Sequence, residues 1–245
     1  MVTAPTFLSS KPIPARERLI FALDVASLDE GKRAVERLGD AVQFYKLGLQ
    51  FLMTGQYFEM IEWLDAQGKK VFADLKFFDV PETVKLAVQG LAARKGVSFA
   101  TIHGNDPMIA AAAGVKGHLK ILAVTVLTSL DRGDLDDMGF ACDPATLVLA
   151  RARRSVQLGA DGVIASGQEA PLLRAELGAD FLIVSPGIRP VENRPADDQK
   201  RTVDVAQAFQ GGADYIVVGR PIKTAPDPRA KAAEIQATIA GLFPG

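Results

Sequence analysis

Cysteine and histidine are nearly missing from this chain. The single cysteine, Cys142, has no partner for an intramolecular disulfide and cannot build a cysteine-rich zinc site. That usage fits a reducing compartment, and a cytoplasmic location is expected. The two histidines, His103 and His118, are too few for a three-histidine metal centre, although carboxylates could still hold magnesium; a metal is disfavoured rather than excluded. Surplus charge is lacking too. With 28 Lys and Arg against 29 Asp and Glu, the formal charge of −1 offers no field for nucleic acid or an anionic membrane. No apolar run approaches the roughly 20 residues that span a bilayer. The opening MVTAPTFLSSKPIPARER has no sustained apolar stretch after its basic residues, so residues 1–17 read as an irregular lead-in rather than a signal peptide. There is no low-complexity linker and no domain-sized insertion, and a single domain over residues 1–245 is expected.

What is present is a regular alternation. Short β-branched apolar runs occur at Leu19–Val25, Phe44–Leu47, Val71–Leu75, Phe99–His103, Ile121–Val126, Gly162–Ile164, Phe181–Val184 and Tyr215–Val218. Amphipathic stretches lie between them, including Leu28–Leu38, Gly55–Ala66, Glu82–Arg94, Ala145–Leu158 and Val203–Phe209. Each crossover is long enough to return to a parallel neighbour, and several strands are apolar on both faces. Eight such units in 245 residues predict an α/β fold of the closed (β/α)8 TIM-barrel type. Gly-Ala-Asp recurs at helix-to-strand junctions (159–161, 178–180 and 212–214), where the glycines suit helix C-caps.

In such a barrel the chemistry sits where strands end, so the polar residues there carry the information. Asp24 ends the first strand, Lys46 the second, and Asp74 and Lys76 the third, with Asp79 in the loop before Pro81. His103 ends the fourth, and Thr128 and Ser129 follow the fifth. Strand alternation predicts Asp74 and Lys76 on one side, facing the mouth. A plain ion pair at a strand end is the competing reading. Asp24 and Lys46 at neighbouring strand ends weigh against it, because alternating charges converging on one low-dielectric mouth perturb each other's protonation. A second group suits phosphate: Gly187 and Gly219 allow close backbone approach after strands seven and eight, and Arg220 supplies a planar cationic fork. The polar, proline-containing segment from Arg189 to Lys200 reads as a loop able to close over a ligand, with Gln199 able to reach an anion from its far end.

These motifs resemble the orotidine 5′-phosphate decarboxylase family. The likeness runs in order through FALDV (21–25), YKLGLQ (45–50), DLKFFDVPETV (74–84), LAVTVLTSL (122–130), SPGIRP (185–190) and VVGRPI (217–222), nearly the whole chain. Asp-x-Lys-x-x-Asp alone marks a wider suprafamily; the SPGIRP and GRPI elements narrow it. The resemblance implies decarboxylation of orotidine 5′-phosphate to UMP, the last step of pyrimidine nucleotide synthesis, without cofactor or metal. It implies that Lys76 protonates C6, that Asp74 lies beside the substrate carboxylate, and that Asp24 and Lys46 bind ribose hydroxyls. Asp79 and Thr83 are expected to reach the neighbouring subunit's site in an obligate homodimer. Thr128 would help read the pyrimidine edge. Arg189, Gln199, Gly219 and Arg220 would hold the phosphate, and Pro186 and Gly187 would line the pocket. One departure is Phe78, at a position often histidine in bacterial members, to which no catalytic role attaches.

Three rivals remain open on the residues alone. A magnesium-dependent sugar-phosphate decarboxylase or aldolase of the same suprafamily wants a further acid near strand two, where this chain has Lys46. A Schiff-base aldolase would use Lys76 or Lys46. A non-catalytic nucleotide-binding barrel would have no evident use for the charge network.

Overall fold

Eight parallel strands close into one barrel in sequence order, β1 pairing with both β2 and β8. They are β1 (Leu19–Ala22), β2 (Phe44–Gly48), β3 (Lys70–Phe77), β4 (Val97–His103), β5 (Lys120–Val124), β6 (Gly162–Ile164), β7 (Leu182–Ser185) and β8 (Tyr215–Val218). The helices are α1 (Leu28–Leu38), α2 (Leu49–Leu52), α3 (Tyr57–Ala66), α4 (Pro81–Ala92), α5 (Asp106–Ala113), α6 (Arg132–Asp137), α7 (Pro144–Gln157), α8 (Ala170–Leu177), α9 (Val205–Gln210), α10 (Arg220–Lys223) and α11 (Pro228–Leu242). This computed structural model describes residues 6–189 and 202–244.

Local chemistry sets the boundaries. Ser27 caps α1 by accepting the Glu30 N–H, while Glu30 reaches back to the Ala26 N–H. Asp143 and Asp204 cap α7 and α9 by accepting the N–H three residues on, with Gln207 reaching back to the Asp204 N–H, and Pro81 opens α4 at a position where its missing N–H costs nothing. The first strand ends at Ala22, earlier than its apolar run; the Leu23 N–H still reaches the Lys46 carbonyl, Leu23 and Val25 pack under the helices, and Asp24 between them faces the mouth. The helix expected from Gly55 starts at Tyr57, after the turn that Gly55 makes at φ +76°.

Alternation along the strands divides the apolar residues between two cores. Outward side chains pack under the helices. Inward ones fill the barrel, where Phe44, Phe72, Phe99 and Tyr215 form an aromatic plug with ring centroids as close as 4.9 Å for Phe44 and Phe99. The barrel is therefore solid below its mouth, and polar groups at the strand ends stand on an apolar floor. At the opposite end, residues 7–18 cross the base: the Phe7 N–H bonds to the Gln210 carbonyl, and Ser9, Lys11 and Arg18 all engage Asp214. No helix among the described residues is long and apolar enough to cross a membrane.

Candidate active site

Strand β3 departs from regular pairing just where its charged residues lie. Ala73 pairs with Ala100, but the next pair is Phe77 with Ile102, so the β3 stretch carries more residues than β4 opposes. Lys76 adopts φ +48°, the one positive value at a non-glycine among the described residues. Simple alternation over Asp74-Leu75-Lys76 is thus not what aims the lysine. The bulged, left-handed backbone does so, and it still brings Lys76 Nζ to 2.8 Å from Asp74 Oδ2.

Asp74 is the hub. Its Oδ2 also lies 3.4 Å from Lys46 Nζ, which in turn is 3.5 Å from Asp24 Oδ1. Its Oδ1 accepts the Thr101 hydroxyl at 2.9 Å. Burial by itself would raise the Asp74 carboxyl, but Lys46 and Lys76, together with hydrogen bonds from Lys76 and Thr101, hold it below the usual carboxylate range. Asp74 therefore stays ionised although it is only 8% exposed.

This cluster lines one side of a cavity of about 260 Å³. Its floor is apolar, formed by Phe72, Ile164 and Val217 at the top of the barrel core. Thr128 stands on another wall after β5, beside Val126 and Leu127. Pro186, Gly187, Arg189, Gly219 and Arg220 form the far side, after β7 and β8. Gly187 holds φ +77°, a conformation side chains resist, and a Cβ at Gly219 would meet that of Ala22 at 3.2 Å. Arg189 is buried and Arg220 exposed at the start of α10. Ile188 bridges to Val203, and the Arg189 N–H bonds to the Val203 carbonyl, so the two stems of the intervening segment are tied together. Gln199, and most of the segment in which it was placed, lies outside the described residues.

Asp79 and Thr83 do not join this cavity. Both are exposed and lie with Phe78 and Val84 on a second depression, and Lys76 borders both hollows. The Asp79 carboxylate accepts the Val80 N–H at 2.6 Å. Exposed Phe78 and Val80 flank it, and the Phe78 ring meets His103 edge-on at 5.1 Å. His103 is half-buried, and burial, then Arg151 and Lys76, lower its pKa. Among the described residues, no three His, Cys, Asp or Glu side chains gather as metal ligands do.

Three contributors escaped the sequence reading. Thr101 was hidden as one more residue of an apolar strand, although alternation from Phe99 puts it on the inward face. Gly48 leaves the room that Lys46 uses: a Cβ there would sit 3.2 Å from Lys46 Nζ. Arg151 donates to the Thr125 carbonyl at 2.7 Å and fixes the end of β5 next to the cavity wall.

Fold and site together define a closed (β/α)8 barrel with a charged, apolar-floored pocket at the strand C-terminal ends and glycines and arginines after the last two strands. The chain belongs to the orotidine 5′-phosphate decarboxylase / HUMPS family, whose model matches residues 17–235. It is 62% identical over 239 residues to the orotidine 5′-phosphate decarboxylase of Methylococcus capsulatus, covering 98% of each chain. Against the enzyme of the same description from Stenotrophomonas maltophilia it is 52% identical, covering 96% of this chain and 99% of the other. The crystal structure of orotidine 5′-phosphate decarboxylase from Lactobacillus acidophilus superposes with a TM-score of 0.77 at 33% identity, covering 94% of this chain and all of the other.

Proposed function

We propose that this chain is a carboxy-lyase that converts orotidine 5′-phosphate to UMP and CO2, with Lys76 as the proton donor. The observation that carries the reading is the 2.8 Å contact of Lys76 Nζ with a buried, ionised Asp74 at the edge of a cavity whose opposite wall bears Arg189 and Arg220. Loss of CO2 from C6 of the pyrimidine leaves a carbanion with no carbonyl placed to delocalise it. The residues of this pocket must then lower the barrier electrostatically. The Lys76 ammonium stabilises the growing negative charge at C6 and delivers a proton there. A substrate carboxylate beside Asp74 is repelled; two like charges at 4 Å cost about 4 kcal/mol at an effective dielectric of 20. That repulsion vanishes as neutral CO2 forms, while the attraction between lysine and carbanion grows. Holding Lys76 in place is the other contribution of Asp74.

The remaining roles follow the walls of the cavity. Asp24 and Lys46 suit ribose hydroxyls, Thr128 the pyrimidine edge, and Arg189, Gly219 and Arg220 the phosphate, with Gln199 joining from the 190–201 segment. Pro186 and Gly187 line the passage between ring and phosphate. Phosphate binding, remote from C6, offsets the cost of seating an anion near Asp74. The working form is a cytoplasmic homodimer with shared sites: Asp79 and Thr83 sit in a hollow with an apolar rim that borders Lys76 from outside its own cavity, as residues offered to a partner's site would.

Ultraviolet absorbance on adding orotidine 5′-phosphate, with and without EDTA, tests the reaction. Turnover insensitive to EDTA is expected; no absorbance change overturns the reading, and loss of turnover with EDTA favours magnesium chemistry. Sharing is tested by mixing Lys76→Ala and Asp79→Ala subunits, each inactive alone. Heterodimers should regain part of the activity, and no recovery rules out sites built from two chains.

A further inference from the structure

Thr101 stands at the inward position of β4 immediately above the aromatic plug and is fully buried. A valine would fill that volume without a polar group to satisfy, so a hydroxyl at this depth needs an account. Its hydrogen bonds provide one. The hydroxyl meets Asp74 Oδ1 at 2.9 Å, and the Lys76 backbone N–H meets the same Oγ1 at 2.9 Å. Their directions are fixed by chemistry: an ionised carboxylate only accepts and an amide N–H only donates, so the Thr101 proton points to Asp74 and a lone pair takes the Lys76 amide.

Each bond has its own consequence. With Oδ1 held by Thr101, the Asp74 carboxylate cannot rotate freely, and Oδ2 faces both ammoniums, Lys76 at 2.8 Å and Lys46 at 3.4 Å. The amide bond falls in the interval between Ala73 and Phe77 where pairing of β3 with β4 is interrupted, and there the threonine oxygen replaces a ladder acceptor. It thereby holds Lys76 in its φ +48° backbone, a conformation that costs a non-glycine residue and persists only when its surroundings enforce it. One hydroxyl ties the backbone of one charged residue to the carboxylate of the other.

We propose that Thr101 is a positioning residue for decarboxylation, acting through Lys76 and Asp74 rather than on the substrate. The inference rests on the reaction assigned above and goes beyond it by naming what sets the geometry of the proton donor. The lowered Asp74 pKa, to which Thr101 contributes, agrees with it.

The test compares Thr101→Val, Thr101→Ala and Thr101→Ser with the wild-type chain for kcat, KM and UMP binding. Loss of a buried bond to a charged group predicts kcat about 10- to 100-fold lower in Thr101→Val and Thr101→Ala, with KM and UMP affinity little changed. Thr101→Ser, which keeps the hydroxyl and loses the same methyl as alanine, should recover most of kcat. Wild-type kcat in the valine or alanine variant, a serine variant as impaired as alanine, or a loss confined to KM would each overturn the proposal. Failure of both hydroxyl-free variants to fold would overturn it too, giving the hydroxyl to stability alone. A wild-type chain that does not turn over orotidine 5′-phosphate removes the reaction assignment itself, which an active wild type beside an equally active Thr101→Val does not.

Discussion

The barrel carries a similar charge cluster at each end. At the mouth, Asp74 is held by Lys46, Lys76 and Thr101. At the base, Asp214 is held by Lys11, Arg174 and Ser9. Each is a buried carboxylate with two cations and a hydroxyl. They differ in what is left over. The oxygens of Asp214 are saturated, Arg174 at 2.7 Å and the Ile183 N–H at 2.9 Å sharing Oδ2, and its side chain is fully buried behind Ser9, Lys11 and Arg174, which themselves border a hollow at the base. Asp74 is bordered by a hollow, and its partner Lys76 keeps a side chain 32% exposed. The same charges make a rivet when the carboxylate is sealed behind its partners and a reactive centre when carboxylate and cation both face one cavity. Charge density alone does not mark a site.

That difference is sharpest for substitutions that remove one charge from each end. Lys76→Ala should keep the fold and bind UMP, yet lose about 10,000-fold or more in turnover, since proton donation and charge stabilisation go together. Near wild-type kcat in a steady-state assay would break the comparison. Asp214→Asn should do the reverse. It leaves buried Arg174, with half-buried Lys11 beside it, short of a counter-ion, at a cost of about 3–5 kcal/mol in denaturant unfolding, while molecules that remain folded keep their kcat. A stability loss under 1 kcal/mol would mean that the base cluster is no rivet.

Acid separates the ends more gently. The Asp74 pKa is depressed in the folded protein, so its stabilisation is complete above the ordinary carboxylate range and disappears as pH falls through the lowered value. Thermal unfolding followed downward from neutral pH should therefore fall more steeply for the wild type than for Asp74→Asn. Parallel curves would remove Asp74 from the acid response. The smallest change probes the room around Lys46. Gly48 has φ −104°, which any residue tolerates, so Gly48→Ala acts only through the crowding of Lys46 Nζ. About 1 kcal/mol of lost substrate binding, a roughly fivefold rise in KM with kcat held, is expected. An unchanged KM would show that Lys46 moves aside without consequence.

The barrel was legible because its signal is repeated: eight apolar runs with helical spacers leave little choice of topology, and the observed order follows. The mouth was legible in part, since Asp24, Lys46 and Asp74 are inward residues at strand ends, where alternation works. Lys76 was placed correctly by an argument that fails there, because the bulge in β3 comes with a hydrogen bond from the Lys76 N–H to Thr101 of β4 that no local pattern announces. Thr101 was missed for the same reason: its importance lies in partners 25 and 27 positions away. The Gly-Ala-Asp repeats were read as helix caps, which describes their glycines but not their acids. Asp161 and Asp214 each accept the N–H of an adjacent strand's residue, Ile121 and Ile183, and take a cation as well. Asp180 shows no such bond, so the motif could not reveal which copies clamp the base.

The strap across the base has a consequence in time. Ser9 and Asp214 are 205 positions apart, and Phe7 waits for Gln210. At a synthesis rate of about 5–20 residues per second, the segment emerges roughly 10–40 s before its partners exist. β1 is likewise without β8 until then. The earliest part of the barrel to be made is thus among the last to settle, and through that interval an unpaired strand edge and the partners of a future rivet are open to other chains.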